Sequence, residues 1–349
     1  MIRVLLVDPS PAFRKSLSDL LATDPELHVL GEAGDGAVAL DIAKRRRPSL
    51  ILMSVKLPAM DGFEATRSVM THAPTPIVIL SDNDAPDQVE LSMNALRAGA
   101  VSVQPRPDVE RMLNHPASAR DFLSTIKAMA QVKLVRRWAE RGAPAAKPAP
   151  AVVPPRPAPS SRVVAIGAST GGPAAIQRIL SELPVQFPYP ILIVQHIAPG
   201  FHTGFVAWLN ASSPLPAKVA EHGEPLRPQT VYIAGDRRHL GLSNRSTILL
   251  SAEPPIGGFR PSATFLFETV SNVCGPAAIN LILTGMGRDG VDGLRVARKH
   301  GALILAQDEA SSVVFGMPAS AIEAGLPDAV LPLSKIAGKL TEIWESERG

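Results

Sequence analysis

The run from Gly142 to Ser161 constrains this chain more than any other segment, because seven of its twenty residues are proline and six are alanine. Proline lacks the backbone N–H and fixes φ, so the run cannot form a helix interior and reads as a semi-rigid, extended linker. It divides the 349 residues into a unit over 1–138, a linker over 139–161 and a unit over 162–349. Each flanking unit is long enough for its own core.

Both units alternate short apolar runs with helical patterns. The first places strands at 2–7, 27–30, 50–55, 77–80 and 100–103, a five-fold βα repeat that predicts a flavodoxin-like doubly wound sheet. The second places them at 163–166, 191–195, 231–234, 278–283, 303–306 and 329–331, again predicting an α/β unit with a mainly parallel sheet. Chemistry in such folds gathers beyond the C-terminal strand ends.

The segment Val163-Val-Ala-Ile-Gly-Ala-Ser-Thr-Gly-Gly-Pro173 feeds a glycine-flanked serine from a buried strand into a helix start. Ser169 is then exposed at a strand end, beside backbone N–H groups and the positive end of a helix, as a hydrolase nucleophile requires. A phosphate loop is a poorer reading, since no lysine follows in Walker spacing and no G-x-G-x-x-G occurs there. Two further buried-strand patterns end near His196 and Asp289. If the three strands are neighbours, all three groups emerge on one sheet edge, where histidine can take the serine proton and aspartate can orient the imidazole. The order Ser, His, Asp differs from that of the α/β-hydrolases.

At this point the second unit resembles the chemotaxis protein-glutamate methylesterases. The resemblance rests on Ile166-Gly-Ala-Ser-Thr-Gly-Gly172, Gln195-His-Ile-Ala-Pro-Gly-Phe201, Arg260-Pro-Ser262, Leu283-Thr-Gly-Met-Gly-Arg-Asp-Gly290, Ala306-Gln-Asp-Glu-Ala-Ser311 and Val313-Val-Phe-Gly-Met-Pro318. It implies Ser169 as nucleophile, His196 as general acid and base, and Asp289 as orienting carboxylate, with Thr170 and Met286 bordering the site. It also implies hydrolysis of glutamate γ-methyl esters, and deamidation of glutamines, on cytoplasmic helices of methyl-accepting chemoreceptors. Arg260 is a candidate contact to an acidic receptor surface or a helix-start residue. His202, His222 and His239 have no matched partner in sequence and read as loop or surface histidines.

The first unit resembles the receiver domain of response regulators through Val4-Leu-Leu-Val-Asp8, Gly34-Asp-Gly36, Leu57-Pro-Ala-Met-Asp-Gly62 and Pro105-Arg-Pro107. Receivers hold Mg²⁺ with an acidic pair and a phosphoacceptor aspartate, and meet the phosphoryl group with a lysine. Here Asp8 is followed by Pro9, the phosphoacceptor position is Ser54 and the lysine position is Arg106. Asp8 and the switch-like Ser81 keep the expected chemical type. A serine hydroxyl cannot form an acyl phosphate, so a pseudo-receiver without Mg²⁺-dependent aspartyl phosphorylation is expected. Any trigger falls to another protein, such as a chemosensory histidine kinase, acting on this unit or the linker.

The remaining composition narrows the function. One cysteine, Cys274, allows no internal disulfide and no thiolate metal pair, which suits a reducing cytoplasm. No signal-peptide pattern and no membrane-spanning apolar stretch is read. The net charge of +3 is modest, with basic residues at Arg45-Arg46-Arg47 and around the linker, and no helix-turn-helix pattern supports nucleic-acid binding. No cofactor or metal is expected, and a monomer is. The alternative to an enzyme is a chemosensory scaffold whose catalysis is vestigial.

Overall fold

The computed structural model describes residues 1–81, 94–95, 98–130, 162–197 and 200–347. The proline-rich linker expectation falls on residues outside this set.

In the first unit, β1 (Ile2–Val7), β2 (Leu27–Ala33), β3 (Leu50–Ser54), β4 (Ile77–Ser81) and β5 (Ser102–Pro105) form one sheet in the order β2-β1-β3-β4-β5. All its pairings are parallel. The helices are α1 (Pro11–Leu21), α2 (Gly36–Arg46), α3 (Gly62–His72), α4 (Val109–Asn114) and α5 (Pro116–Ala130). Side-chain oxygens start several of them: Ser10 accepts from Phe13 N, Asp35 from Val38 N at 2.8 Å, and Asp61 from Glu64 N at 2.7 Å. Residues of β1 alternate between two cores, Val4 and Leu6 on one sheet face and Leu5 and Val7 on the other. Burial on both faces explains why this strand reads as a continuous apolar run. The last strand lies at 102–105, two residues beyond its expected start, because Ala100 and Val101 lead into it rather than pair within it.

The second unit carries a seven-stranded, all-parallel sheet: β6 (Val163–Ala168), β7 (Ile191–Gln195), β8 (Ala217–Val219), β9 (Val231–Ile233), β12 (Ala278–Ile282), β13 (Leu303–Gln307) and β14 (Ala329–Leu331). The order is β14-β13-β12-β6-β7-β9-β8. An antiparallel hairpin, β10 (His239–Asn244) and β11 (Thr247–Ser251), stands apart from it. The expected strands are all present. The sequence reading omits β8, only three residues long, and the hairpin, whose alternation is masked by polar ends.

Helices α6 (Gly172–Glu182), α7 (His202–Asn210), α8 (Ala263–Cys274), α9 (Val291–Lys299), α10 (Met317–Glu323) and α11 (Leu333–Ser346) cover the sheet. Val164, Ile166 and Ala168 face a core shared with α6 and α11, whereas Val163 and Ala165 face one shared with α8 and α9. Fully burying each of Val163, Val164 and Ile166 stabilises the unit by about 1.5–3 kcal/mol before entropy is counted. The C-terminal helix is tied back at its end, where Glu347 accepts from Tyr189 Oη at 2.6 Å and pairs with Arg162. Burial, with that bond to Glu347, pushes the Tyr189 phenol well up.

Candidate active site

The strand order brings the three candidate residues to one edge of the sheet. β6 lies between β12 and β7, with Ile282 beside Gly167 and Ala168 beside Gln195. Ser169 follows β6, His196 follows β7, and Asp289 lies in the segment after β12, so all three leave the same edge of a parallel sheet.

Main-chain bonds fix their spacing. Ser169 N donates to Thr284 O at 3.0 Å, and His196 N donates to Ala168 O at 2.9 Å. Gln195, buried between the two loops, donates from Nε2 to Ser169 O at 2.8 Å and to His196 O at 2.9 Å. Sequence reasoning passed over this residue; its polar side chain at the end of an apolar strand was the available signal. Two glycines permit the close approach. Gly171 has φ +78°, open to glycine without strain, and a Cβ on Gly285 would stand 2.7 Å from Ser169 Cβ.

His196 Nε2 lies 2.9 Å from Asp289 Oδ2. A carboxylate only accepts, so Nε2 carries the proton of that bond, and Nδ1 is the nitrogen left to act as base whenever the ring is neutral. Nδ1 is buried with no hydrogen-bond partner among the described residues. Asp289, 7 % exposed, sits at the start of α8. It accepts from Ser262 Oγ at 2.6 Å, Ala263 N at 2.7 Å, Thr264 N at 3.2 Å and Gly290 N at 2.9 Å. Burial pushes its carboxyl upward, but the bond and charge of His196 and the donors from Ser262 and Ala263 outweigh it and hold the group at about 2. It is therefore ionised near neutrality.

The other expected residues divide. Thr170 adjoins Ser169 and its carbonyl accepts from Thr284 Oγ1 at 2.8 Å, while Met286 is 39 % exposed on the Asp289 loop. Arg260 turns back on its own loop, donating from Nη1 to Ala252 O at 3.0 Å and Glu253 O at 3.1 Å. His202 and His239 are buried, against the surface placement read from sequence. His202 approaches Asp236, and burial pushes its imidazole down despite that carboxylate. His239 Nδ1 accepts from Ser262 N at 3.2 Å, so it braces the helix start that carries the Asp289 donors. His222 Nδ1 accepts from Leu250 N at 3.1 Å.

In the first unit, Asp8, Ser54 and Ser81 are buried at the strand ends. Arg106 donates from Nη1 and Nη2 to the two Asp8 oxygens at 2.6 and 3.1 Å, and its guanidinium lies 3.7 Å from the centre of the Phe13 ring. A guanidinium on the one remaining carboxylate, with serine at position 54, does not fit a divalent cation. Val313 and Val314 of the second unit pack against the core of the first. The same segment is laced to the loop beside Ser169, because Gly285 N donates to Val314 O at 2.9 Å and Val314 N donates to Thr284 Oγ1 at 2.9 Å.

A flavodoxin-like unit joined to a parallel α/β unit that gathers serine, histidine and an ionised aspartate on one edge defines a receiver-linked hydrolase class. The comparisons narrow this. The family model described as CheB methylesterase matches residues 164–340, and that of the response regulator receiver domain matches residues 4–114. A protein-glutamate methylesterase/protein-glutamine glutaminase of Myxococcus xanthus is 48% identical, over 100% of this chain and 98% of its own. One from Nitrosospira multiformis is 46% identical over the same shares. The crystal structure of the Thermotoga maritima CheB methylesterase catalytic domain superposes with a TM-score of 0.52 at 41% identity, covering 53% of this chain and 99% of that one. The chain belongs to the CheB methylesterase family, with a receiver domain preceding its catalytic unit.

Proposed function

We propose that this chain hydrolyses glutamate γ-methyl esters, and deamidates glutamines, on the cytoplasmic helices of chemoreceptors, with Ser169, His196 and Asp289 as its catalytic triad. The observation that carries the reading is their emergence from three adjacent parallel strands, with His196 Nε2 on Asp289 at 2.9 Å.

The chemistry follows from the protonation states. His196 Nδ1 takes the Ser169 proton as Oγ attacks the ester or amide carbonyl carbon, and the imidazolium is held by ionised Asp289. The Ser169 amide is committed to Thr284 O, so the amides of Thr170 and Met286 are assigned to the oxyanion. The imidazolium returns the proton to the leaving methanol or ammonia, and water, activated by the same nitrogen, releases the glutamate carboxylate from Ser169.

The Asp8–Arg106 pair supports a receiver unit that does not take aspartyl phosphate. Packing of Val313 and Val314 on that unit's core, next to the Thr284–Gly285 segment, supports its acting on the esterase site through another protein's binding. A monomer divided as 1–138, 139–161 and 162–349 is the working assignment. No described helix is long and apolar enough to cross a membrane.

Methanol release from methylated receptor cytoplasmic fragments tests the reading. Ser169→Ala and His196→Gln are expected to lower kcat by roughly five to six orders of magnitude. Turnover retained by Ser169→Ala refutes the triad, and no turnover by the unaltered chain on several receptors favours a scaffold.

A further inference from the structure

A single hydrogen bond to Asp289, at 2.9 Å, leaves the His196 imidazole free to tilt about that bond. The other ring nitrogen is buried without a partner among the described residues, so no second polar contact fixes the ring plane. The restraint comes from above. The Phe259 ring lies parallel to the imidazole, with centroids 4.1 Å apart and an interplanar angle of 2°.

We infer that Phe259 is a positioning residue for the reaction: it holds the plane of His196 and favours the imidazolium formed when the base takes the serine proton. This rests on the assignment of His196 as the proton carrier. Phe259 is 37 % exposed, so core packing does not account for a large apolar ring there. The loop is built to present it. Gly257 and Gly258 have φ of +59° and +89°, the Ile256 and Phe259 main chains exchange two bonds of 3.0 Å, and Arg260 braces the loop through Ala252 O and Glu253 O. Three residues on, Ser262 Oγ donates to Asp289. One short loop therefore grips both the base and its carboxylate.

The electronic argument gives direction. An aromatic face attracts a cation more than a neutral ring, so the stack strengthens as His196 becomes positive. An interaction stronger in the transition state than in the ground state acts on kcat and leaves KM alone.

The test uses the full chain with methylated receptor fragments. Phe259→Leu is expected to lower kcat on the order of three- to tenfold with KM within about twofold, while Phe259→Tyr and Phe259→Trp keep kcat near the unaltered value. Proton NMR of selectively labelled histidine adds a readout that a purely structural role does not move: the His196 ring protons, shielded under Phe259, shift downfield in Phe259→Leu and not in Phe259→Tyr. A rise in KM at unchanged kcat marks Phe259 as a substrate contact and overturns the proposal, as do unaltered His196 shifts in Phe259→Leu. A parallel His196→Gln variant separates the two readings: its retained turnover refutes the triad, whereas its loss alongside a fully active Phe259→Leu refutes the role of Phe259 alone.

Discussion

Arg106 meets both oxygens of Asp8, at 2.6 and 3.1 Å, where a receiver would place a metal ion and a lysine. The guanidinium supplies the positive charge from within the chain and rests on Phe13. Arg106→Ala leaves a nearly buried carboxylate without that donor pair and is expected to destabilise the first unit by about 1–3 kcal/mol. Hydrogen exchange of the β1 and β3 amides measures it. Incubation with a small-molecule phosphodonor and Mg²⁺ is expected to leave no aspartyl phosphate on the unaltered chain; label lost on Asp8→Asn contradicts this.

Asp289 links the site to stability. Its carboxyl is held at about 2 against an ordinary value of 3.8, so its folded state is the more acidic one. The resulting stabilisation, on the order of 2 kcal/mol, is complete above about pH 4 and disappears as pH falls toward 2. The stability gap between the unaltered chain and Asp289→Asn is therefore expected to close over that window in urea titrations. At neutral pH the same variant is expected to lose about four orders of magnitude in kcat, because an amide can select the wrong imidazole tautomer.

Gly285 is a spacing element for Ser169. A Cβ there would lie 2.4 Å from Met317 Sδ and 2.7 Å from Ser169 Cβ. Gly285→Ala is expected to displace Ser169 and lower kcat by about 10- to 100-fold, with a smaller change in KM. Unchanged methanol release shows that Met317 and Ser169 adjust without cost.

Val313 and Val314 tie the two units together beside the Thr284–Gly285 segment. Residues 162–349 alone are expected to turn over several-fold faster than the full chain, in line with a coupling of about 1–3 kcal/mol. Equal rates by methanol release make the first unit a passive or docking module.

Much of this was legible in the sequence because both sheets are buried on two faces. Runs such as Ile191-Leu-Ile-Val and Ala278-Ile-Asn-Leu-Ile must then be strands, and the chemistry must follow them. Adjacency was conditional until the order β12-β6-β7 was known. What stayed hidden were contacts made by side chains reaching across loops. Gln195 looks like an ordinary strand end, Arg260 like a surface cation, and His239 like a loop histidine, yet each is spent on a main-chain atom. Phe259 carries no pattern at all, since a lone aromatic in a glycine turn has no periodicity to reveal its neighbour.

The carboxylate at the start of α8 has two employments. Ser262, Ala263 and Thr264 present their donors to Asp289, so this residue terminates a helix as well as holding the His196 ring. The helix that follows Ser169, by contrast, starts at Gly171 with no side-chain cap, so Ser169 Oγ does not cap it. A descendant that abandoned hydrolysis would be free to lose the serine while folding still demanded the aspartate. Under the proposed triad, Ser169 is thus the more truthful witness to activity, and Asp289 by itself records only the architecture.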